Sequence, residues 1–367
     1  MDFTPTEAQQ DLGKLTAEVC GKLVTSDRLR ELDTAAVRFD EPLWAALTEA
    51  GVPAATLPEA AGGNGFGVLE QTAVLRELGK HVAAVPYLWS AVLGAGALAE
   101  FGTEAQRELA GRALLTVALA EERNWGGVPA ATGVADGDAL TVTGELITVP
   151  FAAQAERILV PVAVGDAVAV ALVDPAGPGV TVTEQLVVDR SPEYLVALAD
   201  APAELVGTVE NGAQVLDWLR LRAWLGLSAL QLGTLERALE LVAGYARERE
   251  QFGKPVGSFQ AVAQRLADAY IDVQGLRLAV TQAAWQLAEG LDAAGAVHTA
   301  KFWAAEAGHR VAHTVVHVHG GVGIDRDHIV QSYFIAAKHN EFALGGATDH
   351  LRAIGALYAD RADIAPV

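Results

Sequence analysis

The sequence predicts a three-part chain: an N-terminal all-helical domain (residues 1–112), a middle antiparallel β domain (113–208) and a C-terminal bundle of the four-helix type (209–367). The apolar period is helical up to about residue 112. It then changes to alternation in short Val- and Thr-rich runs, and from about residue 211 becomes helical again over much longer stretches. Helices do not alternate with the strands, so a doubly wound parallel sheet is disfavoured.

In the first part, Thr4, Thr6 or Asp11 can cap an opening helix. Trp44, Leu47 and Ala50 form a helical stripe after Asp40 and Glu41, and Gly51-Val52-Pro53 ends it. The run Gly62-Gly63-Asn64-Gly65 cannot lie inside a helix. Helical periodicity resumes over Val68–Leu78 and again over Ala91–Ala99.

Strand patterning begins at Leu114, Thr116, Ala118 and Ala120 and continues in Ala139–Val149, Arg157–Val173, Val180–Thr183 and Leu186–Val188. Asp136-Gly137-Asp138 and Pro175–Gly179 are the turns between. The final part reads as helices over Leu216–Arg247, Phe259–Glu289, Ala296–His319, His328–Ala343 and Thr348–Asp360. Gly290, Gly320-Gly321 and Gly345-Gly346 lie at their ends.

The chain has 367 residues, with 26 Lys plus Arg against 46 Asp plus Glu, a formal net charge of −20. An acidic surface of this kind opposes binding to nucleic acid or an anionic membrane, which need a basic face. A single cysteine, Cys20, permits neither an intrachain disulfide nor a thiolate metal cluster. No secretory leader or membrane span is visible, and a cytoplasmic location is expected.

Four features carry chemistry. Trp125, in a β-domain loop, can stack on a ligand or simply pack locally. In Arg247–Pro255, Arg249 offers a planar fork of donors for phosphate or carboxylate, Phe252 can cover an aromatic ring, and Gly253 and Pro255 force a turn. The plain alternative is a helix end whose cations suit the dipole. His309, His313 and His317 share one helical face at i, i+4, i+8, a zinc-like spacing. However, the run HRVAHTVVH lacks a Glu after the first His, so packing or cofactor-contacting histidines are expected and no metal. Gly320-Gly321-Val322-Gly323 is a helix stop or a place where backbone amides meet a ligand; with no strand before it, it is not a dinucleotide fingerprint.

Taken together, QFGKPVGSFQAV, HVHGGVGI, AAKHNEFALGGA and the earlier PEAAGGNGFG resemble the acyl-CoA dehydrogenase family over nearly the whole chain. Within it the chain is similar to the smaller, base-lacking subunit of actinobacterial heterotetrameric (α2β2) dehydrogenases that act on steroid side chains, of the cholesterol 26-oyl-CoA type. The resemblance implies FAD as cofactor and oxidation of an acyl-CoA between Cα and Cβ, a carboxylate taking the α proton and the flavin the β hydride. It also implies a downstream electron acceptor.

Carried over residue by residue, the resemblance makes Arg249 and Phe252 contacts to the FAD of a neighbouring subunit. It places His317 where the family has a Gln that contacts the pyrophosphate or adenine side, and Gly321 where the same FAD approaches closely. In the middle domain, Ala118–Trp125 stands in place of the family's Ser-Asp-bearing run, and Leu146-Ile147-Thr148 in place of Trp-Ile-Thr. The base is missing: its usual register falls at Leu344 or Gly345, and its alternative register at Ala223. The resemblance therefore implies no catalytic residue in this chain and a second acyl-CoA dehydrogenase subunit that carries the Glu. Two competing readings are a self-sufficient homomer using Glu341 (Glu236 being another displaced carboxylate) and a nonenzymatic assembly or CoA-binding protein.

Overall fold

The computed structural model describes residues 3–122, 127–136 and 139–359. Along the chain, α1 (Glu7–Leu23), α2 (Ser26–Thr34), α3 (Glu41–Glu49), a short α4 (Val52–Ala55), α5 (Val68–Lys80), α6 (Gly96–Phe101) and α7 (Glu104–Ala110) come first. Strands β1 (Leu115–Val117), β2 (Thr132–Asp136), β3 (Ala139–Pro150), β4 (Arg157–Val164), β5 (Ala167–Val173), β6 (Val180–Gln185) and β7 (Glu193–Leu205) follow. The long helices close the chain: α8 (Gly212–Glu248), α9 (Gln260–Ala288), α10 (Ala294–His319), α11 (Ile329–Phe342) and α12 (Ala347–Ala359), with a small hairpin of β8 (Glu250–Gln251) and β9 (Lys254–Pro255) after α8. This is the expected succession of helices, sheet and helical bundle. In space the chain forms two compact units that cut across it: residues 1–33, 68–83 and 224–367, and residues 34–67 and 84–223.

The first unit is helical. Of the candidate caps for α1, Thr6 is the one used: its hydroxyl accepts from the Gln9 amide, and the Gln9 side chain returns the bond to the Thr6 N–H. The crossing of α5 on α8 brings backbone against backbone. A Cβ on Gly79 would lie 2.1 Å from the Leu230 carbonyl oxygen, and one on Gly233 1.9 Å from that of Arg76. Only glycine permits this approach. The small buried stripe of α10 (Ala300, Ala304, Ala307, Gly308, Val311) lies on its packed side.

In the second unit the strands close on themselves in the order β4–β2–β3–β7–β5 and back to β4, with β6 added on β7 and β1 on β4. Its interior holds Leu140, Val142, Ile158, Val160, Ala171 and Val196, all fully or nearly fully buried. The pairing is mostly antiparallel, as expected, but β1 and β2 run parallel to β4. Parallel neighbours cannot be joined by a hairpin; here the chain reaches β4 only after β3.

Some local expectations change. The run 157–173 divides at Gly165-Asp166 into β4 and β5, paired from Val164↔Ala167. Leu186 and Val188 are exposed and lie outside any strand. β7 escapes the Val/Thr pattern because it is rich in alanine and contains Pro202, yet it pairs with β3, β5 and β6. Pro53 does not end in a loop; it sits in the first turn of α4, where a missing N–H is harmless. The helix expected over Ala91–Ala99 begins as a π-helical segment, Tyr87–Ala95, before α6. There the Ser90 hydroxyl accepts from the Leu115 amide at the start of β1.

Candidate functional site

The Arg249 motif is built by the end of α8. The Arg249 amide still donates to the Tyr245 carbonyl (2.8 Å), and the Arg249 carbonyl accepts from Val256 (2.7 Å), which closes the β8–β9 hairpin. Gln251 pairs with Lys254, leaving Phe252-Gly253 as a two-residue turn with φ +54° and +75°. Two positive φ values are what a tight twisted hairpin demands, and Gly253 meets that demand easily. Phe252 does not: an aromatic residue with positive φ is strained. The residue is also 93% exposed, its ring edge-on to that of Phe259 with centroids 6.1 Å apart. Two local costs therefore fall on one residue that gains almost nothing from its own chain. The exposed Arg249 guanidinium makes no hydrogen bond or ion pair with the described residues.

The second motif is built by the end of α10, which stops at Gly320 (φ +64°, ψ −139°) and tightens into a 3-10 turn over Gly320–Ile324. His317 is exposed, and its imidazole has no hydrogen-bond partner among the described residues. Gly321 is exposed as well, and a Cβ there would meet nothing within 4 Å. Nothing inside the chain demands glycine at 321, whereas at Gly323 a Cβ would collide with the Val316 carbonyl at 2.6 Å.

Tyr245 joins the two motifs. Its hydroxyl donates to the His319 carbonyl (3.3 Å), and its ring stacks on the His319 imidazole with centroids 4.4 Å apart. Tyr245 was not singled out from sequence, although it stands one helical turn before Arg249. The four expected cofactor contacts thus lie at two tied helix ends, turned outward. A donor fork without a partner, a naked aromatic face and an unobstructed glycine suit contact with an anionic, ring-bearing group held elsewhere.

The registers expected for a base hold no acid. Ala223 is buried, and Leu344 is buried with φ +52°. The Leu344 turn is held tightly: its carbonyl accepts from Trp224 Nε1 (3.0 Å) and lies 3.3 Å from His350 Nε2. His350 Nδ1 lies 2.8 Å from His298 Nδ1, so one imidazole donates and the other accepts. Burial pushes the His350 pKa down to about 3, aided by the nearby Lys301 and His298. Lys301, fully buried, donates to the carbonyls of Asn340 (3.1 Å), Glu341 (3.3 Å) and Gly345 (2.8 Å). It caps the end of α11 from inside, and burial pulls its pKa down to about 7 against the pull of Glu341 and Asp349.

The displaced carboxylates are already engaged. Glu341 is buried, with Lys338 Nζ at 2.5 Å and His309 Nδ1 at 3.1 Å. Glu236 is held by Arg76 (2.7 Å) and Arg277 (2.8 Å). The histidine stripe packs: His309 against His313 at 4.6 Å, and His313 on the edge of Phe334 at 5.4 Å. Among the described residues no group of three His, Cys, Asp or Glu is placed to hold a metal ion. In the β domain, Ala118 and Ala120 are buried, and Trp125 lies outside the described residues. Thr148 sits with φ +45° where β3 and β7 lose register, and its amide donates to Gln185 Oε1 (2.6 Å). That N–H is spent within the chain.

The fold and these motifs define a class, and the comparisons agree. The acyl-CoA dehydrogenase N-terminal domain family matches residues 6–117, and its C-terminal domain family matches residues 214–357. The chain belongs to the acyl-CoA dehydrogenase family. It is 49% identical to acyl-CoA dehydrogenase FadE27 of Mycobacterium tuberculosis over 369 residues, covering 97% of this chain and 98% of that one. FadE28 of the same organism is 32% identical, with 97% and 98% covered. Among solved structures, the chain is similar to one in the ChsE4–ChsE5 complex of Mycobacterium tuberculosis, with a TM-score of 0.93, 49% identity, and 98% and 100% of the two chains covered. It also matches the Tcur3481–Tcur3483 steroid ACAD at a TM-score of 0.92 and 37% identity, with 97% and 99% covered.

Proposed function

We propose that this chain is the base-lacking subunit of a heteromeric, FAD-dependent acyl-CoA dehydrogenase that introduces an α,β double bond into a steroid side-chain CoA thioester. The partner is a second member of the family that carries the catalytic Glu, in an α2β2 assembly. The observation that carries this reading is the contrast between two sets of residues. Both base registers hold buried apolar side chains, Ala223 and Leu344, while Arg249, Phe252, His317 and Gly321 stay exposed and uncommitted. Bound FAD supplies the hydride acceptor.

In this reading Arg249 neutralises phosphate charge on the partner's cofactor, Phe252 covers a ring, His317 donates a hydrogen bond, and Gly321 leaves room for close approach. The likeness to one chain of a ChsE4–ChsE5 complex and to a steroid ACAD supports both the heteromer and the substrate class. Glu341 is a poor candidate for a base in a homomer, because Lys338 and His309 already hold its carboxylate.

The test is reconstitution. This chain is purified alone and together with a family member that has Glu in a base register, and flavin content and dehydrogenation of a steroid side-chain CoA thioester are measured. Activity is expected only in the mixture. Full flavin content and turnover by this chain alone would overturn the proposal.

A further inference from the structure

A cavity of about 500 Å³ opens within the first unit among α1, α5, α8 and α9. One wall is apolar, formed by Leu69, Leu232, Val280 and Ala284, with the Phe3 ring set edge-on to Trp285 at 5.9 Å. The charged side chains that line the cavity are Lys14, Arg76, Arg277 and Glu77, and Glu236 and Lys80 lie behind them. Glu236, whose side chain is only 5% exposed, receives Arg76 Nε at 2.7 Å and Arg277 Nη2 at 2.8 Å, with Lys80 Nζ at 3.8 Å. Lys80 also pairs with Glu77 at 2.7 Å.

Three cations thus share two carboxylates, and with the exposed Lys14, which lines the same cavity, four cations face two carboxylates. Such an excess is unusual in a chain of net charge −20. Arg277 Nε and Glu236 Oε1 lie side by side in this pair, both buried and neither with a hydrogen-bond partner. The volume falls in the roughly 300–1,000 Å³ range of small-molecule sites.

We propose that this cavity binds an aliphatic monocarboxylate, its carboxylate on Arg277 and Arg76 and its chain along the Leu69–Val280–Ala284 wall. The planar guanidinium matches a carboxylate, and the opposite wall offers an alkyl chain only apolar contact. The site is independent of the proposed dehydrogenase role, and neither reading falls with the other.

The experiment is calorimetric titration of the full-length chain with decanoate, and with decanol and decylamine as controls of equal chain length. Saturable one-site binding of decanoate is expected, at least tenfold tighter than either control. Arg277→Met should weaken decanoate at least tenfold and leave decanol unchanged. Arg277→Lys, which preserves the ion pair with Glu236 and guards against misfolding of the first variant, should fall between them. Decanol binding as tightly as decanoate, an affinity unaltered in both Arg277 variants, or no saturable binding would each overturn the proposal.

Discussion

Arg249 and Phe252 give little to their own chain, and this separates function from stability in a measurable way. Replacing Arg249 with Met removes no hydrogen bond or ion pair with the described residues, so the thermal midpoint should stay within a degree or so. The FAD affinity of the reconstituted complex should fall about 10- to 100-fold, the equivalent of one charge-assisted hydrogen bond at about 1.5–3 kcal/mol. Cofactor titration by fluorescence checks this. Glu341 should behave oppositely. Its buried carboxylate is pinned by Lys338 and His309, so Glu341→Gln should lower stability by about 1–3 kcal/mol while turnover of the complex is retained. Chemical denaturation and an activity assay separate the two. The turn that carries Arg249 and Phe252 was legible in sequence because its motif is local. The binding of Glu341 was not, because His309 lies 32 positions away and the contact exists only once α11 packs on α10.

At the scale of elements, the end of α11 shows how a helix terminus is satisfied from inside. The carbonyls of Asn340 and Glu341 in its last turn, and that of Gly345 just beyond, accept from the side-chain amine of Lys301 on α10. Lys301→Met would leave those carbonyls without their donor and should cost about 3 kcal/mol or more. His350, beside it, makes the element acid-sensitive. Its folded pKa lies near 3, below the ordinary value of 6.5, so the unfolded chain takes up the proton first. The stabilisation is therefore complete above pH 6.5 and is lost as pH falls towards 3, with a limiting slope of about 1.4 kcal/mol per pH unit. Denaturation midpoints of the wild type and of His350→Gln, measured from pH 7 to 4, should converge as the pH falls.

The strands teach a related lesson. β3, β4 and β5 were readable from Val and Thr alternation, whereas β7 was hidden in an alanine-rich run and is a strand because three neighbours pair with it. β-propensity reports fit to a partly buried surface rather than a backbone preference, so tertiary pairing supplied what composition withheld.

For the whole molecule, the −20 charge sets behaviour that no single residue controls. Self-repulsion among like charges weakens the compact state and is screened within about 10 Å at 0.1 M salt. Raising NaCl from low to moderate concentration should therefore increase the thermal midpoint by a few degrees, which scanning calorimetry checks. The order of helices, sheet and helices, the long C-terminal helices and the absence of an acid at positions 223 and 344 were determined by sequence alone, because period, turn residues and side-chain identity are local properties. Only the tertiary structure decided that Tyr245 ties the ends of α8 and α10, that Glu341 and Glu236 are bound by cations, and that Lys301 caps α11. Apart from the Lys338–Glu341 pair, only three positions apart, those contacts join residues dozens to more than a hundred positions apart. Packing, not pattern, sets which of them meet.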